Sequence, residues 1–361
     1  MRDWQNSARP VVEDPVLVSA PDRATSTGSR AMRVVAIGGG TGLSTLLRGL
    51  RRHVIQAGES GDTQGKIADL AAVVTVTDDG GSSGRLRKDF NMLPPGDLRN
   101  CMVALSEEED LLAQLFKHRF RAGDSLQGHN FGNLFVAALT EITGDFALAI
   151  ELSSKILATR GRIYPATTAN TTLVARMDDG SLVRGETNIT ASHRPIAELM
   201  LDPPGPEPLP ETIAAIERAD LITVGPGSLY TSLITNLLVE GVPTALASAR
   251  GLRVYVCNLM TQANESLGLS ASEHIERMYD HTRAPIFDCA LINTAPFSAE
   301  TLARYAAEGA EPILADIERV QALGVRVIAG EFASEGNVVR HAAERVTETL
   351  LGLGRAAARS T

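Results

Sequence analysis

Four glycines fall within five residues at Gly38, Gly39, Gly40, Thr41 and Gly42. An apolar run over residues 33–37 precedes them, and Leu43, Leu46, Leu47 and Leu50 follow at helical spacing. A glycine turn between strand and helix lets backbone approach a ligand. It also aims N–H groups at an anion beside the positive helix N-terminus. No Lys follows, so this is not a Walker A loop, and Leu43 takes the last glycine position of a dinucleotide fingerprint.

A second turn reads Thr77-Asp78-Asp79-Gly80-Gly81-Ser82-Ser83-Gly84-Arg85. Adjacent carboxylates at a strand end suit Mg²⁺, which takes one or two carboxylates plus ligand phosphate. That chemistry makes Asp78 and Asp79 the candidate metal ligands. Gly80, Ser82 and Ser83 can cradle an anion and Arg85 can balance its charge. Asp178-Asp179-Gly180 repeats the triplet between two β-prone runs, residues 171–177 and 182–189, where it reads as hairpin turn chemistry. A third turn, Gly225-Pro226-Gly227-Ser228, again joins strand to helix and suits a diphosphate. Its plainer reading is a turn with Ser228 as helix cap. Asp97, Arg99, Asn100, His129, Asn130 and Asn133 lie between these turns. Each alone reads as a cap or a structural hydrogen-bonding group, and together they could line a cleft. No HExxH, GxSxG or spaced Cys/His cluster occurs.

Strand-like and helix-like segments alternate from residue 33 to the last helix, expected from about residue 341. The pattern predicts a Rossmann-like α/β fold: a mostly parallel sheet, helices on both faces, and a small β-hairpin insertion at about 161–190. Residues 32–354 form the expected domain. Residues 1–31 read as a disordered extension and 355–361 as a tail. Asp97 is expected to cap the helix through 98–105. Ser106 and Glu109 read as a capping box for a helix to about 120.

Lys and Arg number 34 against 43 Asp and Glu, a net charge of −9, which argues against a general nucleic-acid binder. Aromatics are only 4% while apolar residues are 44%, which suits helices packed on a parallel sheet. Cys101, Cys257 and Cys289 form no CxxC pair and read as small buried hydrophobes. No apolar run reaches the roughly 18 residues of a membrane span, and acidic residues interrupt the N-terminus. A cytoplasmic location is expected.

The stretches VVAIGGGTGLSTLLRGL, VVTVTDDGGSSGRLR, LPPGDLRNCMVAL, GHNFGNLFVAAL, ADLITVGPGSLYTSLITNLL and VYVCNLMTQANES resemble, in this order, the bacterial gluconeogenesis factor family. That family is a branch of the 2-phospho-L-lactate transferase-like fold. The chain departs from it before Asn236, where a Pro is expected, and before Glu265, where a Gly is usual. The resemblance implies a cytosolic protein needed for growth and cell shape on gluconeogenic carbon. It implies binding of UDP-sugars, notably UDP-N-acetylglucosamine, and influence on cell-wall synthesis proteins, with no catalytic activity generally assigned. Tyr305 and Arg340 match the positions the family uses for that ligand. The alternative it implies is a transferase of a nucleotide-activated phosphoester, with Mg²⁺ at Asp78 and Asp79. A homo-oligomer is compatible with the sequence.

Residues 1–31 lack an apolar pattern, so their deletion is expected to leave melting temperature and ligand binding unchanged. A large drop in the melting temperature of the truncated chain would refute this.

Overall fold

The computed structural model describes residues 31–56, 65–106, 111–262 and 265–360. The expected extension, Ala31 apart, and Glu109 of the expected capping box lie outside them. The chain forms, in order, β1 (Met32–Gly38), β2 (Ile67–Val74), β3 (Arg162–Pro165), β4 (Thr172–Met177), β5 (Leu182–Arg184), β6 (Ile196–Asp202), β7 (Leu221–Val224), β8 (Leu252–Val256), β9 (Cys289–Asn293), β10 (Arg326–Gly330), β11 (Ala333–Ser334) and β12 (Arg340–His341).

Seven of these strands make one parallel sheet, ordered β10-β9-β8-β7-β1-β2-β3. The chain builds outward from β1 in one direction to β3, then crosses back and builds the other way from β7. The order reverses between β1 and β7, which pair in parallel with Ile37 opposite Val224. Ligands bind at such a switch point, outside the carboxyl ends of the strands.

Both faces of the sheet are buried. Val34 and Ala36 of β1 pack with Leu43, Leu46 and Leu50 of the first helix, Gly40–Leu50. Val35 and Ile37 pack on the opposite side with Ile222, Val224 and Tyr230. This is why the strands read as nearly continuous apolar runs. All three cysteines are free and buried. No helix among the described residues is long and apolar enough to cross a membrane.

The small sheet differs from the expected insertion. It has three antiparallel strands, β5-β4-β6, so it runs to residue 202, and residues 162–165 belong to the main sheet as β3. The hairpin turn is present: Asp179 Oδ1 accepts from Ser181 N–H at 2.9 Å. The second strand ends at Arg184, and residues 186–191 are helical. Gly185, at φ +89°, turns the chain, and Asp79 Oδ1 accepts from Thr187 N–H at 2.8 Å, fixing the first turn of that helix. A tertiary contact here overrides local β-propensity. The last helix, Ala343–Ser360, continues through most of the expected tail.

That last helix packs against the first. A Cβ built on Gly49 would lie 2.3 Å from Thr347 Oγ1 and 2.8 Å from Ala343 O. Gly49→Val is therefore expected to destabilise the protein by about 1–3 kcal/mol through overpacking. Denaturant unfolding checks this, and an unchanged midpoint would contradict it.

Candidate nucleotide cleft

The first and third glycine turns meet backbone to backbone at the switch point. A Cβ on Gly42 would sit 2.5 Å from Pro226 O and 3.1 Å from Gly227 N, so only glycine allows this approach. Asn236 fastens the pair: its Nδ2 donates to Gly38 O at 3.0 Å and to Ser232 O at 2.6 Å.

A cleft of about 270 Å³ opens above this contact. One wall holds Gly39, Gly40, Thr41, Gly42, Pro226, Gly227, Ser228 and Ser232. The other holds Asn258, Leu259, Met260, Thr261, Gln262, Tyr305, Val339 and His341. Asn258, Leu259 and Thr261 also border a second chamber of about 670 Å³ over the ends of β8 and β9, where Phe297, Leu302, Ile313 and Leu314 supply apolar surface. The first chamber alone is small for an organic ligand, since such sites span roughly 300–1,000 Å³. The two adjoining chambers together reach that range. A groove of about 630 Å³ lies elsewhere, between β6 and residues 280–283, and none of the three glycine turns lines it.

Some donors offered by the turns already have protein partners. Gly40 N–H donates to Asp97 Oδ2 at 2.8 Å. Asp97 was expected to cap its own helix. Instead it lies inside the first turn of Gly96–Leu105, after Pro95, and reaches across to the first glycine turn. At the third turn the helix begins as a wide π-helical segment, Leu229–Ile234, and Ser228 makes no side-chain cap. Glu265 reaches this segment instead, accepting from Thr231 Oγ1 at 2.9 Å. Burial raises the Glu265 carboxyl, and its Oε2 has no partner.

The second turn stands apart from this cleft. Asp78 Oδ1 accepts from Gly80 N–H at 2.9 Å. Asp79 Oδ1 accepts from Thr187 N–H and from Thr187 Oγ1, the latter at 2.6 Å, and Asp79 Oδ2 lies against Gly185. Ser82 Oγ accepts from Asn130 N–H at 3.2 Å and pairs with His129 Nδ1 at 3.1 Å. Ser83 packs on Gly96, and Arg85 donates to Gln127 O at 3.0 Å. Asn130 caps helix Phe131–Thr143 through Asn133 N–H, and Asn133 Oδ1 accepts from Arg99 Nε at 3.1 Å. These side chains hold the segments that flank the cleft. Arg340 is exposed on β12, while its neighbours Val339 and His341 line the cleft.

For Mg²⁺, the donor set at this turn is thin. Asp79 has both oxygens against the insertion, leaving Asp78 Oδ2 as the less encumbered acidic oxygen. Among the described residues, no group of three or more His, Cys, Asp or Glu is arranged to hold a metal ion. A cation here would depend on oxygens brought by a phosphate ligand.

Glu186 was not singled out in the sequence. It sits on the insertion helix facing the acidic turns, and burial, then Asp78 and Asp97, push its carboxyl up to about 9. Burial, then Asp78, raises Asp97 to about 6 against the hydrogen bond from Gly40. Asn258 and His341 were also missed as site residues. The strand-end position of Asn258, just after β8, was the available signal.

The parallel sheet, with a crevice at its topological switch point walled by two glycine turns and an aromatic side chain, defines a Rossmann-like α/β protein. Residues 34–333 match the family described as 2-phospho-L-lactate transferase CofD. The gluconeogenesis factor of Halalkalibacterium halodurans is 46% identical over 319 residues, covering 88% of this chain and 95% of that protein. The gluconeogenesis factor of Bacillus subtilis is 43% identical over 322 residues, covering 89% and 98%. An X-ray structure of a Bacillus halodurans protein superposes with a TM-score of 0.84 at 45% identity, covering 89% of this chain and 100% of that one. The chain belongs to the CofD family and, within it, groups with the gluconeogenesis factors.

Asp97 gives a signed pH test. Its folded value of about 6 lies above its model-peptide value of 3.8, so the folded state binds the extra proton between them. Stability contributed by this group is then lost as pH rises from about 4 to 6. Asp97→Asn keeps an acceptor for Gly40 N–H and removes the titration. The variant is expected to gain on wild type across that window, by up to ~3 kcal/mol. Parallel pH dependences of the two unfolding free energies would contradict it.

Proposed function

We propose that this protein is a nucleotide-sugar sensor that binds UDP-N-acetylglucosamine in the switch-point cleft. Through that ligand it adjusts cell shape and wall metabolism during growth on gluconeogenic carbon, acting on cell-wall synthesis proteins in the cytoplasm. One observation carries the reading. Tyr305, brought forward by family resemblance alone, stands in the same cleft as Gly39, Gly42, Gly227 and Ser228, far from them in sequence.

The chemistry of the walls supports it. The glycine turns and the hydroxyls of Thr41, Ser228 and Ser232 suit a diphosphate. The Tyr305 ring offers an apolar wall to a uracil or sugar ring. Its hydroxyl accepts from Val339 N–H at 2.9 Å, which orients the ring and leaves the phenolic hydrogen for a ligand oxygen. Arg304 lies 5.7 Å from the ring centroid and steadies it further. Arg340, exposed beside the cleft on β12, can fork onto a phosphate or carbonyl oxygen at the rim. The ligand would extend from the glycine turns into the second, apolar chamber.

Calorimetric titration with UDP-N-acetylglucosamine tests the proposal. Tyr305→Ala and Arg340→Ala are each expected to weaken binding at least roughly tenfold, about 1.4 kcal/mol. Arg340→Lys should recover only part of the loss. Gly227→Val, checked for folding by circular dichroism, should abolish binding. Wild-type affinity in both alanine variants would remove these residues from the site. Turnover of a nucleotide-activated phosphoester with Mg²⁺ would favour the transferase reading instead.

A further inference from the structure

His341 ends β12 and, with Val339, lines the cleft, while Arg340 between them is exposed. His341 Nε2 lies 3.0 Å from the Cys257 carbonyl oxygen. A carbonyl can only accept, so Nε2 carries the hydrogen and donates it. Cys257 is itself held by the sheet, its N–H donating to Leu291 O at 3.0 Å. The ring is therefore anchored to the end of β8 in one tautomer, with the Nδ1 lone pair uncovered by any protein hydrogen bond among the described residues.

Burial pushes this histidine down to about 4, partly opposed by the Cys257 carbonyl. It stays neutral at physiological pH, so Nδ1 remains an acceptor. The rest of the nearby wall consists of glycine-turn backbone and hydroxyls that suit phosphate oxygens. A fixed lone pair repels a phosphate oxygen and matches a hydroxyl or amide hydrogen. The cleft thus has a phosphate-seeking wall and, facing it, an acceptor suited to a different part of the ligand.

We propose that His341 is a specificity-determining residue, whose Nδ1 accepts a hydrogen bond from a sugar hydroxyl or acetamido N–H and so distinguishes a nucleoside diphosphate sugar from the bare nucleoside diphosphate. This rests on the nucleotide-sugar reading of the cleft.

The test titrates UDP-N-acetylglucosamine and UDP against wild type and His341→Gln. Glutamine keeps a donor toward the Cys257 carbonyl and lacks an acceptor at the Nδ1 position. The variant should bind UDP as wild type does and lose affinity for the UDP-sugar by about five- to tenfold, the scale of one neutral hydrogen bond. Equal losses for both ligands would place the contact on the uridine or phosphate and overturn the proposal. So would an unchanged preference for the sugar nucleotide. If the variant fails to fold, ¹⁵N-histidine NMR of the wild-type chain decides. A lone-pair-type imidazole nitrogen should shift with UDP-N-acetylglucosamine and not with UDP, and no such shift overturns the proposal. Wild type binding neither ligand would overturn the cleft assignment itself, and the role of His341 with it.

Discussion

The site depends on the backbone contact between Gly42 and the Pro226 carbonyl, where a side chain of any size would intrude. Two turns separated by about half the chain are pressed together because β1 and β7 are neighbours at the point where strand order reverses. That adjacency is topological, and the glycines are what make it sterically possible. The Asn236 amide then bridges the carbonyls of Gly38 and Ser232, so strand end and π-helical segment hold one spacing. The cleft above them inherits its shape from this contact.

Two buried carboxylates complete the arrangement. Asp97 accepts from Gly40 N–H and Glu265 from the Thr231 hydroxyl, so the first and third glycine turns each have a buried acid beside the helix that follows. Such acids complement the helix dipole and hold the turn in place before any ligand arrives. Burial raises both, and Glu186 as well, which softens the repulsion among these acids. The insertion is tied into this cluster through Asp79 and Thr187. The paired aspartates therefore have a structural duty that their sequence position conceals.

The sheet and the glycine turns were legible because their signals are local: an apolar run, glycines, then leucines at helical spacing. Strand β1 and the helix Gly40–Leu50 fall where the apolar run and the leucine spacing put them. Asp97 was legible as a polar site residue but not in its role, since its partner lies 57 positions away. The strand expected through residue 189 failed for a similar reason: Gly185 and the distant Asp79 redirect the chain. His341 was hidden beside Arg340, because whether a residue of a two-residue strand lines a cleft depends on the strand's register. Asn130 and Asn133, weighed as cleft residues, turn out to belong to a helix cap and its brace.

In the proposed complex the ligand's diphosphate lies over the paired glycine turns. A crystal structure of the wild-type protein with UDP-N-acetylglucosamine tests this directly. The account predicts both phosphorus atoms above the contact of Gly42 with Pro226 and Gly227, with a ligand ring against Tyr305. Phosphates bound instead at Asp78 and Asp79, or in the groove beside β6, would contradict it.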